Sequence, residues 1–422
     1  MKNGKIFTQI ASYRDPQLLL TLRDCIDKAY QPENLVFCIC WQHDQKNDPW
    51  DTLDEFKDDP RFKIIDIEAK EGKGACWARN LIQQQYDNEE YTLQLDSHHR
   101  FVQNWDVELI TMLRQLKKDG VKKPLLTSYL PSFNPENDPA ERTLKPYMLT
   151  LDRFIPEGCI FFLPATIDNF EVHTRPLACR FYSAHFCFTL GEFSQEVQHD
   201  PELYFHGEEI SIAVRAYTHG YDLYSPHRMV AWHEYTRKGR TKHWDDHSDW
   251  NKKNDSSHLR VRKLFGIDGT INDIDFGKYG LGIERTLEDY ERYAGVCFKN
   301  RSVQQYTLDH KLPPNPVIND PEEYKKSFLN VFKHCINVHS SVLPDKYKFI
   351  AVIFEDEKEN SIHRQDIVGC DLEATKAKED GFYKIWRTFN YEDSKKPYKY
   401  IVWPFLETTN EWGKKIEEII YK

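Results

Sequence analysis

The chain has 422 residues, 40% of them hydrophobic and 14% aromatic, which supplies enough apolar surface for two domains with cores of their own. Its 57 basic and 67 acidic side chains leave a formal net charge of -10, which argues against a broad electrostatic grip on nucleic acid. The apolar stretch at residues 6–10 is too short for a secretory leader, and no segment offers eighteen uncharged apolar residues, so neither a leader nor a membrane span is expected.

The first hundred residues alternate short strands with helices, the pattern of an α/β sheet with crossover helices. Residues 5–11 read as a buried strand, followed by Asp15 as an N-cap, Pro16 at the first helical position and a helix through Leu18, Leu22 and Ile26. Further strands are expected at 35–41, 62–67 and 91–95, with a glycine-led helix over 72–85. Loops after parallel strands gather at one sheet edge, where ligands bind. Three of the expected strands end in polar clusters: Ser12-Tyr13-Arg14, Gln42-His43-Asp44 and Asp96-Ser97-His98-His99. Residues 130–176 are punctuated by seven prolines and read as a long irregular binding loop. A strand over 180–189, a helix over 208–218 and a short strand over 229–232 follow. Composition changes near residue 300, and Pro313-Pro314-Asn315-Pro316 reads as a linker. Beyond it the strands expected at 349–354 and 398–403 suggest a smaller, β-rich second domain. The expected division is a catalytic domain over 1–300 and an accessory domain of open role over 315–422.

The ten cysteines are scattered and lie mostly in apolar runs, Cys38 and Cys40 in one, Cys179 and Cys187 in another. They show no disulfide or zinc-module spacing and are expected to be reduced core residues, which points to the cytoplasm.

The chemistry concentrates where the fourth strand stops. Residues two apart in an extended chain point the same way, so Asp96 and His98 can approach one cation just past the strand end. A carboxylate with an imidazole suits a first-row divalent ion of the Mn2+ type, and such an ion neutralises charge on a departing diphosphate. Taken alone, the tripeptide could equally end a strand in solvent. Just upstream, Gly72-Lys73-Gly74 opens a helix whose N-terminus favours anions, and Arg79 on its first turns can reach a phosphate or brace Asp96. Glu208 and Glu209 begin a helix, where carboxylates are favoured by the macrodipole. The basic run 237–242 follows His233 directly and reads either as a solvated loop or as a flap over a diphosphate.

Ala78-Arg79-Asn80, Asp96-Ser97-His98, His206-Gly207-Glu208-Glu209 and Trp232-His233-Glu234-Tyr235 together resemble the GT-A glycosyltransferases. The likeness is greatest to glycosyltransferase family 60, the GlcNAc-transferase family related to the cytoplasmic polypeptide hydroxyproline α-N-acetylglucosaminyltransferase. It covers roughly residues 5–240. The resemblance implies a Rossmann-like mixed sheet with flanking helices, and a metal, Mn2+ by expectation, held by Asp96, His98 and His233. It implies a UDP-sugar donor, UDP-GlcNAc by expectation, bound by Ser12, Tyr13, Arg14, Gln42, Arg79, Asp96 and Ser97. Glu209, with Glu208 beside it, is implied to face the sugar or the acceptor hydroxyl. The implied reaction is transfer with retention to a hydroxyl of a protein hydroxyamino acid or a glycan. Three other readings stand beside it: an inverting transferase with a Glu208 or Glu209 base, a sugar- or nucleotide-binding protein without catalysis, and a metal-dependent nucleotide hydrolase.

Overall fold

The computed structural model describes residues 4–155, 157–271, 273–343, 346–369, 378–379 and 381–420. The chain divides into two compact units, one of Met1–Arg301 with Tyr306–Val317, the other of Ser302–Gln305 with Ile318–Lys422.

In the first unit, β1 (Ile6–Tyr13), α1 (Leu18–Lys28), β2 (Leu35–His43), β3 (Phe62–Glu68), α2 (Ala75–Gln83) and β4 (Tyr91–Asp96) make a parallel half-sheet with its crossover segments. Then come β5 (His99–Phe101), α3 (Trp105–Lys118), β6 (Lys123–Thr127), the hairpin β7 (Tyr147–Phe154) and β8 (Ile160–Thr166), β9 (Leu177–Ala178) and β10 (Phe186–Leu190). The short α4 (Phe193–Glu196), α5 (Glu208–Thr218), β11 (Tyr221–Ser225), β12 (Ala231–His233), α6 (His243–Asp246), α7 (Trp250–Phe265) and α8 (Leu287–Ala294) complete it. The eight-stranded sheet runs β3-β2-β1-β4-β10-β6-β11-β9. The first four strands are parallel, while β10 runs antiparallel to both of its neighbours. This is the mixed α/β sheet with flanking helices expected from the sequence.

Strand β2 is buried along nearly all its length, as a central parallel strand should be. One sheet face packs Ile6, Ile10, Phe37, Ile39 and Leu93 against Leu18 and Leu22 of α1 and Leu109 and Leu113 of α3. The other face packs Phe7, Cys38 and Cys40 against Ala78 and Ile82 of α2. The parallel register pairs Tyr13 with Gln42 and Ala11 with Asp96, so three strands end side by side at one edge. No helix among the described residues is long and apolar enough to cross a membrane.

Several sequence expectations are corrected. Gln17, not Asp15, occupies the cap position of α1, and its backbone N–H is held by Asp15 Oδ1 at 2.9 Å. The expected strand over 180–189 begins only at Phe186, because Arg180 leaves the sheet to reach the Asn315 side chain and the Lys311 carbonyl. The stretch 130–176 is not irregular throughout. It contains the β7–β8 hairpin, with Pro146 just before β7 and Pro164 on β8 opposite Leu149.

The second unit is β-rich. Ser302–Gln304, Phe328–His339 and Phe382–Tyr391 lie in one antiparallel sheet, and Ser361–Ile367, Tyr347–Glu355, Lys399–Leu406 and Ile416–Ile419 in another. Phe332, Ile336, Ile350, Val352, Phe354, Ile385 and Val402 share one core between them.

The edge of the first unit has a consequence for truncation. Asn315, only 5% exposed, takes Arg180 Nη2 at 2.6 Å and packs so tightly on Gly295 that a Cβ there would meet it at 1.9 Å. A chain ended after Val317 is expected to fold, whereas one ended at Pro314 loses this buried plug. Thermal unfolding of the two fragments should differ by several degrees, and equal midpoints would remove the role given to Asn315.

Candidate active site

The site is assembled by the turn after β4. Thr21 of α1 donates its hydroxyl hydrogen to the Ser97 carbonyl at 2.9 Å and accepts the His99 N–H at 2.9 Å, which fixes the turn. His99 then points inward: its ring lies against the Asp96 N–H and the Trp232 carbonyl, leaving it to brace the turn. Strand β5 pairs antiparallel with β12, His99 opposite His233, and this register carries His233 back beside His98. Residues 135 positions apart thus meet through one short ribbon.

Asp96 Oδ2 lies 3.8 Å from His98 Nε2 and 3.5 Å from His233 Nε2, while Asp96 Oδ1 takes Arg79 Nη2 at 2.8 Å. Ligand atoms of Asp96, His98 and His233 all fall within 4.8 Å of one another. His233 is 6% exposed, yet neither ring nitrogen has a hydrogen-bond partner at normal geometry. A buried imidazole without a partner is costly. One divalent ion among the three groups would remove that cost, since two nitrogen or oxygen ligands about 2.1 Å from an ion stand roughly 3 Å apart. The donor set of two imidazoles and a carboxylate fits a first-row ion. Burial, then His185, holds the His233 imidazole well below its usual range and therefore neutral. Burial pushes the Asp96 carboxyl up, but His233, Arg79 and His98 overcome it and keep the group well below the usual carboxylate range.

Arg79 is the bridge of the site. It sits on α2, 4% exposed, with Nη2 on Asp96 and Nη1 on Glu208 Oε2 at 3.0 Å. The approach of α2 depends on Gly74, whose φ is +119° and whose missing Cβ would lie 2.8 Å from the Tyr204 ring. That backbone region is reserved for glycine.

Two cavities meet at Arg79, Asp96 and His233. The first, about 380 Å³, is walled by Tyr13, Gln42, Gly74, Ala75, Tyr204 and the segment 240–244. Gln42 Nε2 donates to the Ser12 carbonyl at 3.1 Å, while its Oε1, buried, has no partner. The second, about 390 Å³, is walled by Tyr129, His185, Phe161, Phe205, Glu208 and Glu209.

Of the residues singled out in the sequence, Tyr13, Gln42, Arg79, Asp96, Ser97, His98 and His233 line the first cavity, and Glu208 and Glu209 line the second. Ser12 and Arg14 stand behind it. Ser12 is fully buried, and Arg14 is bound to Asp48 at 2.6 Å and Asp246 at 2.8 Å. Tyr13 also donates its hydroxyl to Asp246 at 2.7 Å, and burial followed by this carboxylate raises its pKa above the usual phenol value.

The two glutamates differ in their surroundings. Glu208 Oε2 is taken by Arg79 and by the Cys76 thiol at 2.7 Å. Glu209 receives the Ala184 N–H at 2.9 Å and the Tyr129 hydroxyl at 2.8 Å, and burial lifts its pKa to about 7. Sequence reasoning missed Tyr129, His185, Glu234 and the buried Asp15. His185 stacks on His233 with ring centres 4.1 Å apart. The basic run is exposed over 237–239, but half-buried Arg240 is anchored, paired with Asp15 at 2.8 Å and Glu234 at 3.0 Å. Burial pushes the Asp15 carboxyl up, but His98, Arg240 and Ser97 hold it down at about 2.

The model of the family described as Glycosyltransferase (GlcNAc) matches residues 5–62 and 56–300. No curated protein matches the chain. Among solved structures, GalNAc-T7 with UDP, GalNAc and Mn2+ is similar over 68% of this chain, at 14% identity and a TM-score of 0.47. The match spans 54% of that protein, little more than half its length. TarS of S. aureus is similar over 97% of this chain and 77% of its own, at 10% identity and 0.35. The mannosyltransferase PcManGT from Pyrobaculum calidifontis, in complex with GDP-Man and Mn2+, is similar over 61% of this chain and 74% of its own, at 9% and 0.37.

Proposed function

The chain belongs to the GlcNAc glycosyltransferase family, and on that premise we propose that it transfers N-acetylglucosamine from UDP-GlcNAc to a hydroxyl of a protein hydroxyamino acid or a glycan. The observation that carries this reading is the meeting of Asp96, His98 and His233 between two cavities of nearly equal size. One cavity is proposed for the nucleotide and the other for the sugar and acceptor. Membership of family 60, the GT-A fold type and retention of the anomeric configuration are proposed on the resemblance seen in the motifs.

In this reading Asp96, His98 and His233 hold a divalent ion, Mn2+ by proposal, which supplies Lewis acidity to the diphosphate when bound. Tyr13 packs beside the base, and the unpartnered Gln42 Oε1 accepts a hydrogen bond from it. Ser12 and Arg14 support that wall from behind, and Ser97 sits in the turn that sets the ligand spacing. The N-terminus of α2, with Gly74 and Ala75 on the cavity wall, favours phosphate. Arg79 helps keep Asp96 ionised and adds positive charge where the leaving group departs. Glu209 faces the acceptor side and orients its hydroxyl or takes its proton, while Glu208 secures Arg79.

Residues 1–300 are proposed as the catalytic part and 315–422 as an accessory part. Nine of the ten cysteines are described, seven of them buried, and among the described residues no disulfide joins them, which supports a reducing, cytoplasmic setting. A panel of sugar nucleotides scored for slow UDP or GDP release with Mn2+ tests the donor without needing the acceptor. Release from UDP-GlcNAc that EDTA does not suppress, or none at all, sinks the proposal. Proton NMR of the product anomer separates retention from inversion.

Glu209 sets a pH dependence. With a pKa near 7 it becomes a carboxylate only above that pH, so kcat/KM is expected to climb through pH 7 and level off. Glu209→Gln should remove that limb and lower the rate about 10²- to 10⁴-fold. Because the folded pKa lies above the unfolded one, the stabilisation is full below about pH 4.5 and is lost as pH rises through 7. Glu209→Gln should therefore unfold at a higher temperature than the parent at pH 8 but not at pH 4, measured by calorimetry.

A further inference from the structure

Asp15 carries more of the site than a helix start requires. It is 3% exposed, and a single oxygen, Oδ2, receives the Ser97 hydroxyl at 2.7 Å, His98 Nδ1 at 2.8 Å and Arg240 Nη1 at 2.8 Å. Arg240 Nη1 also lies against His98 Nδ1, and Arg240 Nη2 reaches Glu234 Oε2 at 3.0 Å. Glu234 in turn holds the start of the basic run, accepting the Arg237 N–H at 2.9 Å and the Thr236 hydroxyl.

Two consequences follow from the chemistry of these contacts. A carboxylate can only accept, so Asp15 at Nδ1 favours the tautomer in which Nδ1 carries the proton, against the neighbouring Arg240 N–H, and leaves a lone pair on Nε2, the atom that faces Asp96. The same oxygen that selects the tautomer also anchors Arg240, so the position of the basic segment and the orientation of His98 share one hinge point.

Resting on the metal reading above, we infer that Asp15 is a positioning residue that presents His98 Nε2 to the divalent ion and tethers the basic segment 237–242 to the metal centre. Asp15 reaches the wall of the first cavity, but its carboxylate oxygen Oδ2 is taken by Ser97, His98 and Arg240. It acts through His98 on one side and through Arg240 on the other.

The test reads the metal directly. Mn2+ is titrated into the full chain without nucleotide, and free Mn2+ is counted by electron paramagnetic resonance. Asp15→Ala is expected to weaken Mn2+ binding about 10- to 100-fold, as loss of such supporting carboxylates does elsewhere. Asp15→Asn, whose amide oxygen can still accept from Nδ1–H, is expected to fall between the two. Pulsed resonance of the bound Mn2+ should show one imidazole nitrogen coupling fewer in Asp15→Ala than in the parent. Trypsin cleavage within 237–242 should slow on adding Mn2+ to the parent, and should be fast with or without Mn2+ in Asp15→Ala. Parental Mn2+ affinity and imidazole coupling in both variants would overturn the inference while leaving the metal centre standing. Absence of Mn2+ binding by the parent would instead overturn the metal reading itself. Asp15→Asn keeps the buried shape, so it reports even if the alanine variant does not fold.

Discussion

Asp96→Asn and His98→Ala are each expected to lower metal-dependent UDP release by at least about a thousandfold. A Lewis-acid ion contributes several kcal/mol to stabilising a departing diphosphate, and each 1.36 kcal/mol is about a factor of ten in rate. The two variants fail for different reasons. Asp96→Asn keeps an amide oxygen for Arg79 Nη2, now 2.8 Å from the carboxylate, but offers the ion a weaker, neutral ligand. His98→Ala leaves the Asp96–Arg79 pair untouched and removes one of the two imidazoles. It also frees Asp15 Oδ2 for Arg240 and Ser97 alone. Neither change opens the core, since both residues lie at the sheet edge rather than in the packed faces of the sheet. Circular dichroism should therefore match the parent. Turnover near the parental rate in either variant would mean that the ion, or the whole reaction, sits elsewhere.

The positions of these groups were legible in the sequence to an uneven degree. The three strand ends could be read because parallel strands bury both faces, and a polar cluster after an apolar run marks where burial stops. Tyr13, Gln42 and Asp96 follow such runs, and the register places them together. The spacing Asp96-x-His98 likewise states a shared direction. His233 could be tied to them only through the resemblance, because nothing local in Trp232-His233-Glu234 announces that β12 pairs with β5. Asp15 was misread for a physical reason: an aspartate before Pro16 and an apolar periodic run has every mark of a cap, and burial of its carboxylate depends on contacts 82 to 225 residues away. Tyr129 and His185 lay in stretches whose prolines and polar residues hid the β7–β8 hairpin and the late start of β10. Arg240 looked like one more charge in a basic run. Its pairing with two acids, one of them 225 residues away, is not something charge patterning encodes.

Arg79→Met should damage both stability and activity, and the two effects should separate. The guanidinium is 4% exposed and neutralises two carboxylates at once, Asp96 at 2.8 Å and Glu208 at 3.0 Å. Burial opposes its charge, yet Glu208 and Asp96 raise its pKa above the usual guanidinium value, so the cation is firmly held. Removing one member of such a buried set leaves uncompensated charge and costs about 3 to 5 kcal/mol. A methionine fills much of the volume, so the loss reports charge rather than a cavity. Glu208→Gln introduced beside Arg79→Met removes one of the two orphaned charges and is expected to restore roughly half of the lost stability, a coupling that a double-mutant cycle measures by calorimetry. Activity should not return with it. The positive charge between the two cavities would still be missing, and with it the stabilisation of the departing diphosphate, so the double variant should stay at least about a hundredfold slow. Two outcomes would contradict this account. Additive stability losses would mean that Glu208 does not depend on Arg79, and recovered turnover in the double variant would mean that Arg79 serves the fold alone.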